Sequence, residues 1–259
     1  MHELPNMVTA PDAPLALRIG AWVFNPDAVF MPLAAAFLAV LFARDLREAE
    51  TRAGRGVLMP VLAVWAGGVL GARLYGLVQP MYTGDPVLAH GAWAELRFGS
   101  LGWMWGVLIA APFYGWVSRR GGLLFADAVV PGLCASLAVA RLACIFQGCC
   151  RGWTFPALPV QPLRDTWPLM DIAALAGVLF LVRWRQRHAL PPGSALTSFL
   201  VVYGLARFLL EFGKDTYHLA GPFTWGHLLA GAATLTGLAG AAALRAGRVR
   251  GTRAGQSPG

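Results

Sequence analysis

Three arginines lie inside stretches that are otherwise apolar: Arg73 in VLGARLYGLV, Arg141 in LAVARLACIF and Arg207 in VVYGLARFLLEF. A charge near the centre of a bilayer costs about 2.5–3.5 kcal/mol on insertion scales, and such residues face a protein interior or a polar cavity. Three of them on separate apolar segments point to a shared anionic ligand within the membrane. A phosphate head group fits the chemistry, because the guanidinium fork matches phosphate oxygens with paired hydrogen bonds.

The surroundings of each arginine narrow the roles. Tyr203, Arg207 and Glu211 are spaced i, i+4, i+8, so on a helix they share one face. Two arrangements satisfy that spacing. One is an internal Arg207–Glu211 ion pair; the other is a polar stripe that holds an anion through Arg207, with Glu211 and Tyr203 setting its geometry. Asp127 precedes Arg141 by fourteen residues, about 21 Å along a helix at 1.5 Å per residue, so the two cannot pair. Arg141 therefore needs another partner: backbone carbonyls, Asp171 or Glu211 in a structural role, or a phosphate.

Other reactive side chains carry weaker signals. Cys144, Cys149 and Cys150 form C-x4-C-C. They read as packed thiols, as a pairing of Cys144 with Cys149 or Cys150 in an oxidising exterior, or as a metal or redox site. With no His or acid nearby and no trusted zinc spacing, no metal is expected. His227 lies in the outer third of the last apolar segment, and His90 and His218 in loops. Each is a candidate base, but reads more naturally as a hydrogen-bonded or solvated histidine.

These side chains need a membrane scaffold. The chain has 259 residues, 57% hydrophobic and 13% charged, with a formal charge of +8. Soluble domains carry about 25% charged residues. Seven spans are expected: Val23–Ala43, Val57–Val78, Leu101–Val117, Leu123–Phe146, Pro168–Val182, Leu196–Phe212 and Pro222–Leu244. Backbone polar groups must pair internally in lipid, so the spans are helices and the fold is all-α and polytopic. Residues 1–22 form an outer N-terminal segment without the pattern of a signal peptide. Residues 23–244 form the membrane domain, and residues 245–259 a basic tail read as disordered.

Most basic residues fall between the spans, which argues against nucleic acid as a partner. They number 1, 4, 1, 2, 2, 3, 1 and 4 in successive non-membrane segments. Thirteen lie on one side and five on the other, so the positive-inside rule puts the N-terminus outside and the C-terminus in the cytoplasm.

Taken together, GARL at Gly71–Leu74, Asp127, ARL at Ala140–Leu142, Gly148, Gly152 and YGLARFLLEF at Tyr203–Phe212 resemble the prolipoprotein diacylglyceryl transferase family. The YG-x-x-RF-x-x-EF run is the most specific piece, and the resemblance covers about residues 25–245. It implies an enzyme of the bacterial plasma membrane, working without a cofactor. Such an enzyme moves the diacylglyceryl group of phosphatidylglycerol to the cysteine thiol of a lipobox in a preprolipoprotein. By position, Arg141 and Arg207 would hold the lipid phosphate and Tyr203 would line the site. Glu211 would orient Arg207, Gln147 and Gly152 would contribute to substrate binding, and Arg73 would be structural.

The sequence also departs from the family pattern. Where the family carries an HGG run whose histidine is often assigned as the base, this chain has Met104, Trp105 and Gly106. Methionine cannot take a proton, and Trp103 and Trp105 fill space that glycine leaves open. Cys144 and Gln147 stand where asparagines belong, and Phe30–Met31 stands where a Tyr-Gly pair is usual. The HPSQLYE-like segment survives at most in Pro159–Asp165. Two alternatives follow: a catalytically silent or re-purposed paralogue that binds lipid or lipoprotein precursor, and, less well supported, a small-molecule transporter.

Overall fold

The structure is a computed structural model that describes residues 17–19, 22–24, 26–49, 56–83, 100–147, 167–188, 190–213 and 223–254. A short antiparallel pair, β1 (Leu17–Ile19) and β2 (Trp22–Phe24), comes first, with Arg18 opposite Val23. Among the described residues seven helices follow: α1 (Pro26–Ala49), α2 (Leu58–Thr83), α3 (Ser100–Val117), α4 (Gly122–Gln147), α5 (Trp167–Arg187), α6 (Ser194–Glu211) and α7 (Trp225–Ala254). Each expected span is a helix. All but α3 are long and apolar enough to cross a membrane. α3 has 18 residues, and three tryptophans dilute its aliphatic content.

Helix α4 is the central element. It packs against α1, α3, α5 and α6, while α2 leans on α3 and α7 on α6. Its Phe125, Val129, Val130 and Leu133 are fully buried. The outward faces carry large apolar side chains, among them Val40, Trp116, Phe180 and Leu235, each more than three-fifths exposed. So much exposed apolar surface on every side suits hydrocarbon as the solvent.

The close packing of α2 on α3 follows from glycines four apart on both helices. A Cβ added to Gly71 would collide with the Gly102 carbonyl oxygen, and one on Gly102 with that of Gly71. One on Gly106 would strike the Gly67 carbonyl oxygen. Such small-xxx-small faces let two backbones approach where no hydrophobic force drives helices together in lipid.

The helices outrun the apolar segments that announce them. α1 begins at Pro26 rather than Val23, because Trp22–Phe24 is extended, and it ends at Ala49 rather than Ala43. α7 continues to Ala254, carrying Arg245, Arg248, Arg250 and Arg253 in helix rather than in an unstructured tail. α5, expected to be short, runs five residues past Val182 to Arg187. Arg183, Arg185 and Arg187 are thus helical, not loop residues.

Partners on neighbouring helices make that extension favourable. Arg183 Nη1 donates to both oxygens of Asp45 on α1 at 2.8 Å, and Arg185 Nη1 donates to Ser198 Oγ on α6 at 2.5 Å. At the same end, Asp127 of α4 accepts the backbone N–H of Gly193 at 2.7 Å and of Leu196 at 2.9 Å. Gly193 precedes α6 with φ 94°, in the left-handed region that favours glycine, and has no side chain to cap the helix. Asp127 supplies the missing cap from another helix. This accounts for the residue without any role at Arg141, as its distance along α4 requires.

Candidate functional site

Arg141, Asp171, Tyr203, Arg207, Glu211 and His227, singled out from the sequence, gather at the other end of the bundle. They come from the end of α4, the start of α5, the end of α6 and the start of α7. On α6, Tyr203, Arg207 and Glu211 are all buried, which their four-residue spacing predicts for one inward face. On α5, Trp167 and Asp171 are also four apart and both completely buried.

Arg141, buried on α4, donates from Nε to Asp171 Oδ2 at 2.5 Å. Its Nη2 reaches Ser100 Oγ at 3.1 Å, and its Nη1 lies 3.9 Å from Cys144 Sγ one turn away. Tyr203 Oη donates to the other oxygen of Asp171 at 3.2 Å. Asp171 therefore joins α4, α5 and α6 through one carboxylate. Tyr203 reaches the site as a partner of the carboxylate that holds Arg141.

Arg207 pairs with Glu211 on its own helix, Nη2 to Oε2 at 2.7 Å, with both side chains 3% exposed. Of the two arrangements posed by the sequence, the internal ion pair is present, and Tyr203 on the same face bonds Asp171. Among the described residues, Arg207 Nε and Nη1 are buried without a hydrogen-bond partner. An unsatisfied buried donor costs about 1–3 kcal/mol, more when charged. Arg207 thus has two buried donors that the described protein leaves unused.

Both arginines lie against one aromatic ring. The guanidinium carbon of Arg207 lies 4.5 Å from the Trp167 ring centroid, and that of Arg141 lies 5.1 Å from it. Both are within the range of cation–π attraction, worth about 2 kcal/mol when desolvated. Trp167 Nε1 donates to the Leu210 carbonyl at 2.7 Å, fixing the ring against α6. Two arginines 66 residues apart in sequence are held on one buried indole.

Beyond Glu211 the network passes to α7. Thr224 Oγ1 donates to Glu211 Oε1 at 3.2 Å. His227 is buried, edged by Phe208, Phe212 and Phe223, and its Nδ1 accepts the Thr224 backbone N–H at 3.0 Å. Nδ1 is therefore unprotonated and the neutral ring carries its proton on Nε2.

Other candidates fall elsewhere. Met104 is buried on α3 within the hydrophobic core, and the Trp103 ring lies over Gly68. Arg73 is half-buried on α2. Phe30 stacks on Phe146, two residues beyond Cys144 on α4. Cys134 is a buried thiol in the core. Gln147 closes α4, but its side chain lies outside the described residues, as do Gly148, Cys149, Cys150, Gly152, Pro159–Asp165, His90 and His218.

Sequence reasoning missed Trp167, Thr224 and Ser100. Thr224 carried a readable signal. T-x-x-H at Thr224–His227 is a capping-box spacing, with histidine in the place usually taken by Glu or Gln.

The model of the prolipoprotein diacylglyceryl transferase family matches residues 14–243. The chain belongs to this family. Its relatives include phosphatidylglycerol–prolipoprotein diacylglyceryl transferases. That of Paraburkholderia phymatum is 31% identical over 190 residues, covering 58% of this chain and 62% of the relative. That of Mycolicibacterium paratuberculosis is 28% identical over 243 residues, covering 78% and 56%. That of Geobacter sulfurreducens is 29% identical over 196 residues, covering 69% and 74%. The chain spans less than two thirds of the length of the first two. The family match, the seven helices and the buried arginines agree on a multi-pass membrane protein.

Proposed function

We propose that the protein is a diacylglyceryl transferase of the bacterial plasma membrane. It takes the diacylglyceryl group from phosphatidylglycerol, or a similar anionic phospholipid, and transfers it to the cysteine thiol of a lipobox in a preprolipoprotein. The observation that carries this reading is the pair of guanidinium groups on Trp167, with Arg207 Nε and Nη1 unused among the described residues. Two cations on one apolar plate, at one end of the bundle, form a receptor for a phosphate at head-group depth.

In the proposed reaction the acceptor cysteine thiolate attacks the glycerol CH2 carbon that carries the phosphate ester. The C–S bond forms as the C–O bond breaks. The C–O electron pair leaves on glycerol phosphate, and the thiol proton passes to water. Arg141 and Arg207 stabilise the charge on the departing phosphate. Asp171 and Glu211 hold the two guanidinium groups in place, and Tyr203 holds Asp171. Gln147 and Gly152 are assigned to substrate binding by their place in the family pattern. The cationic pair also lowers the pKa of a thiol bound next to it, which favours the nucleophilic thiolate. That effect matters here, because Met104 offers no base.

The side richer in arginine is assigned to the cytoplasm. On that assignment the Trp167 site faces outward, where a lipobox cysteine arrives. The test is mass measurement of a lipobox peptide incubated with purified protein in phosphatidylglycerol vesicles. A thioether-linked diacylglyceryl adduct supports transfer, and its absence removes the enzymatic claim. The burial of Met104 in the core favours a second reading, a paralogue that binds anionic lipid without transferring it. Phosphatidylglycerol binding that depends on Arg207, without adduct, would select it.

A further inference from the structure

The first turn of α7 is built around Glu211. The Thr224 backbone N–H donates to His227 Nδ1 at 3.0 Å, and the His227 backbone N–H reaches back to Thr224 Oγ1 at 3.4 Å. These reciprocal bonds form a capping box. The Thr224 hydroxyl oxygen lies 3.0 Å from His227 Nδ1 and 3.2 Å from Glu211 Oε1, to which it donates. A Cβ at Gly226 would collide with the Glu211 carboxylate, so the carboxylate lies flat against this turn. A helix N-terminus favours a negative charge. Glu211 is thus held by α7 on one side and by Arg207 on the other.

We propose that Thr224 and His227 are positioning residues for the phosphate grip. They fix Glu211, and through it the direction in which Arg207 presents Nε and Nη1. The inference rests on the reading of Arg207 as a phosphate anchor, and adds the parts of α7 that aim it. His227 acts through Nδ1 as an acceptor rather than as a base. The Asp45–Arg183 pair and the Asp127 cap lie at the opposite end and have no part in this.

Two measurements test the proposal on the full chain in detergent. The first is native mass spectrometry of phosphatidylglycerol binding, with phosphatidylcholine as the neutral control. Thr224→Val keeps the shape and removes the donor, so it should weaken phosphatidylglycerol binding about tenfold, the worth of one hydrogen bond to a charged group. Thr224→Ser should restore most of it. His227→Asn places an amide oxygen near the Nδ1 position and should bind more tightly than His227→Phe. The second measurement needs no lipid. It is the rate at which phenylglyoxal modifies Arg207, read by peptide mapping and expected to rise several-fold in Thr224→Val.

Wild-type binding and reactivity in Thr224→Val, in protein whose melting is unchanged, would overturn the inference. Loss of binding in Arg207→Ala beside that result would leave the phosphate reading standing. Equal binding of phosphatidylglycerol by wild type and Arg207→Ala would instead remove the phosphate reading. The phenylglyoxal rate would then still decide whether α7 positions Arg207.

Discussion

Asp171 is the residue whose loss separates a structural from a ligand-binding role for Arg141. Its carboxylate is fully buried and accepts from Arg141 Nε and from Tyr203 Oη. Asp171→Asn keeps the volume and can still accept from Tyr203, but it leaves a buried guanidinium without its counter-charge. Removing one partner of a buried pair costs about 3–5 kcal/mol. The lower end applies, because Ser100 still bonds Nη2. At about 2–4 °C per kcal/mol for a chain of this size, a loss near 3 kcal/mol lowers the melting midpoint by roughly 6–12 °C in neutral detergent. Phosphatidylglycerol should then recover part of this loss, because a phosphate oxygen can take the place of Oδ2 on Arg141. At about a hundred times its dissociation constant, a ligand adds about 2.7 kcal/mol. The assay is thermal unfolding by tryptophan fluorescence in maltoside micelles, with added phosphatidylglycerol or phosphatidylcholine. The account predicts a larger phosphatidylglycerol shift in the variant than in wild type. Equal shifts from the two lipids in Asp171→Asn would refute the reasoning, and so would a variant that melts like wild type.

Other substitutions probe the rest of the frame. Trp167→Leu removes the plate under both arginines and should weaken phosphatidylglycerol binding tenfold or more at two contacts of about 1–2 kcal/mol each; unchanged binding by native mass spectrometry would dismiss the plate. Asp127→Ala strips the cap from two part-buried N–H groups at the start of α6 and should cost about 1–2 kcal/mol of stability. Because that cap lies at the far end, lipid affinity of the folded variant should be unchanged in the same assay. Gly106→Val forces α3 from α2 and should lower the melting midpoint by several degrees; a midpoint equal to that of wild type would contradict the packing.

Much of this was legible in the sequence, for physical reasons. Apolar run length located seven helices, since lipid leaves the backbone no other way to pair its polar groups. The four-residue spacing of Tyr203, Arg207 and Glu211 gave a shared buried face. Distance along α4 separated Asp127 from Arg141. Helix ends were misjudged because hydropathy marks the stretch that meets hydrocarbon, whereas Arg183 and Arg185 extend α5 by finding Asp45 and Ser198 on other helices. The meeting of Arg141 and Arg207 on Trp167 is tertiary, and no local pattern carries it. The family pattern drew attention to the missing histidine at Met104, while the polar residues that complete the cluster, Thr224 and His227, come from α7. Gln147 and Gly152 keep their assignment from that pattern alone.

The central claim is that two guanidinium groups grip one lipid phosphate. A double-mutant cycle on Arg141→Lys and Arg207→Lys, measured as phosphatidylglycerol affinity against phosphatidylcholine, tests it directly. Groups that share one ligand are coupled, typically by about 0.5–3 kcal/mol. The account predicts that each single change lowers phosphatidylglycerol affinity selectively, and that the double variant loses less than the sum. Strictly additive losses, or equal losses for the neutral lipid, would contradict it.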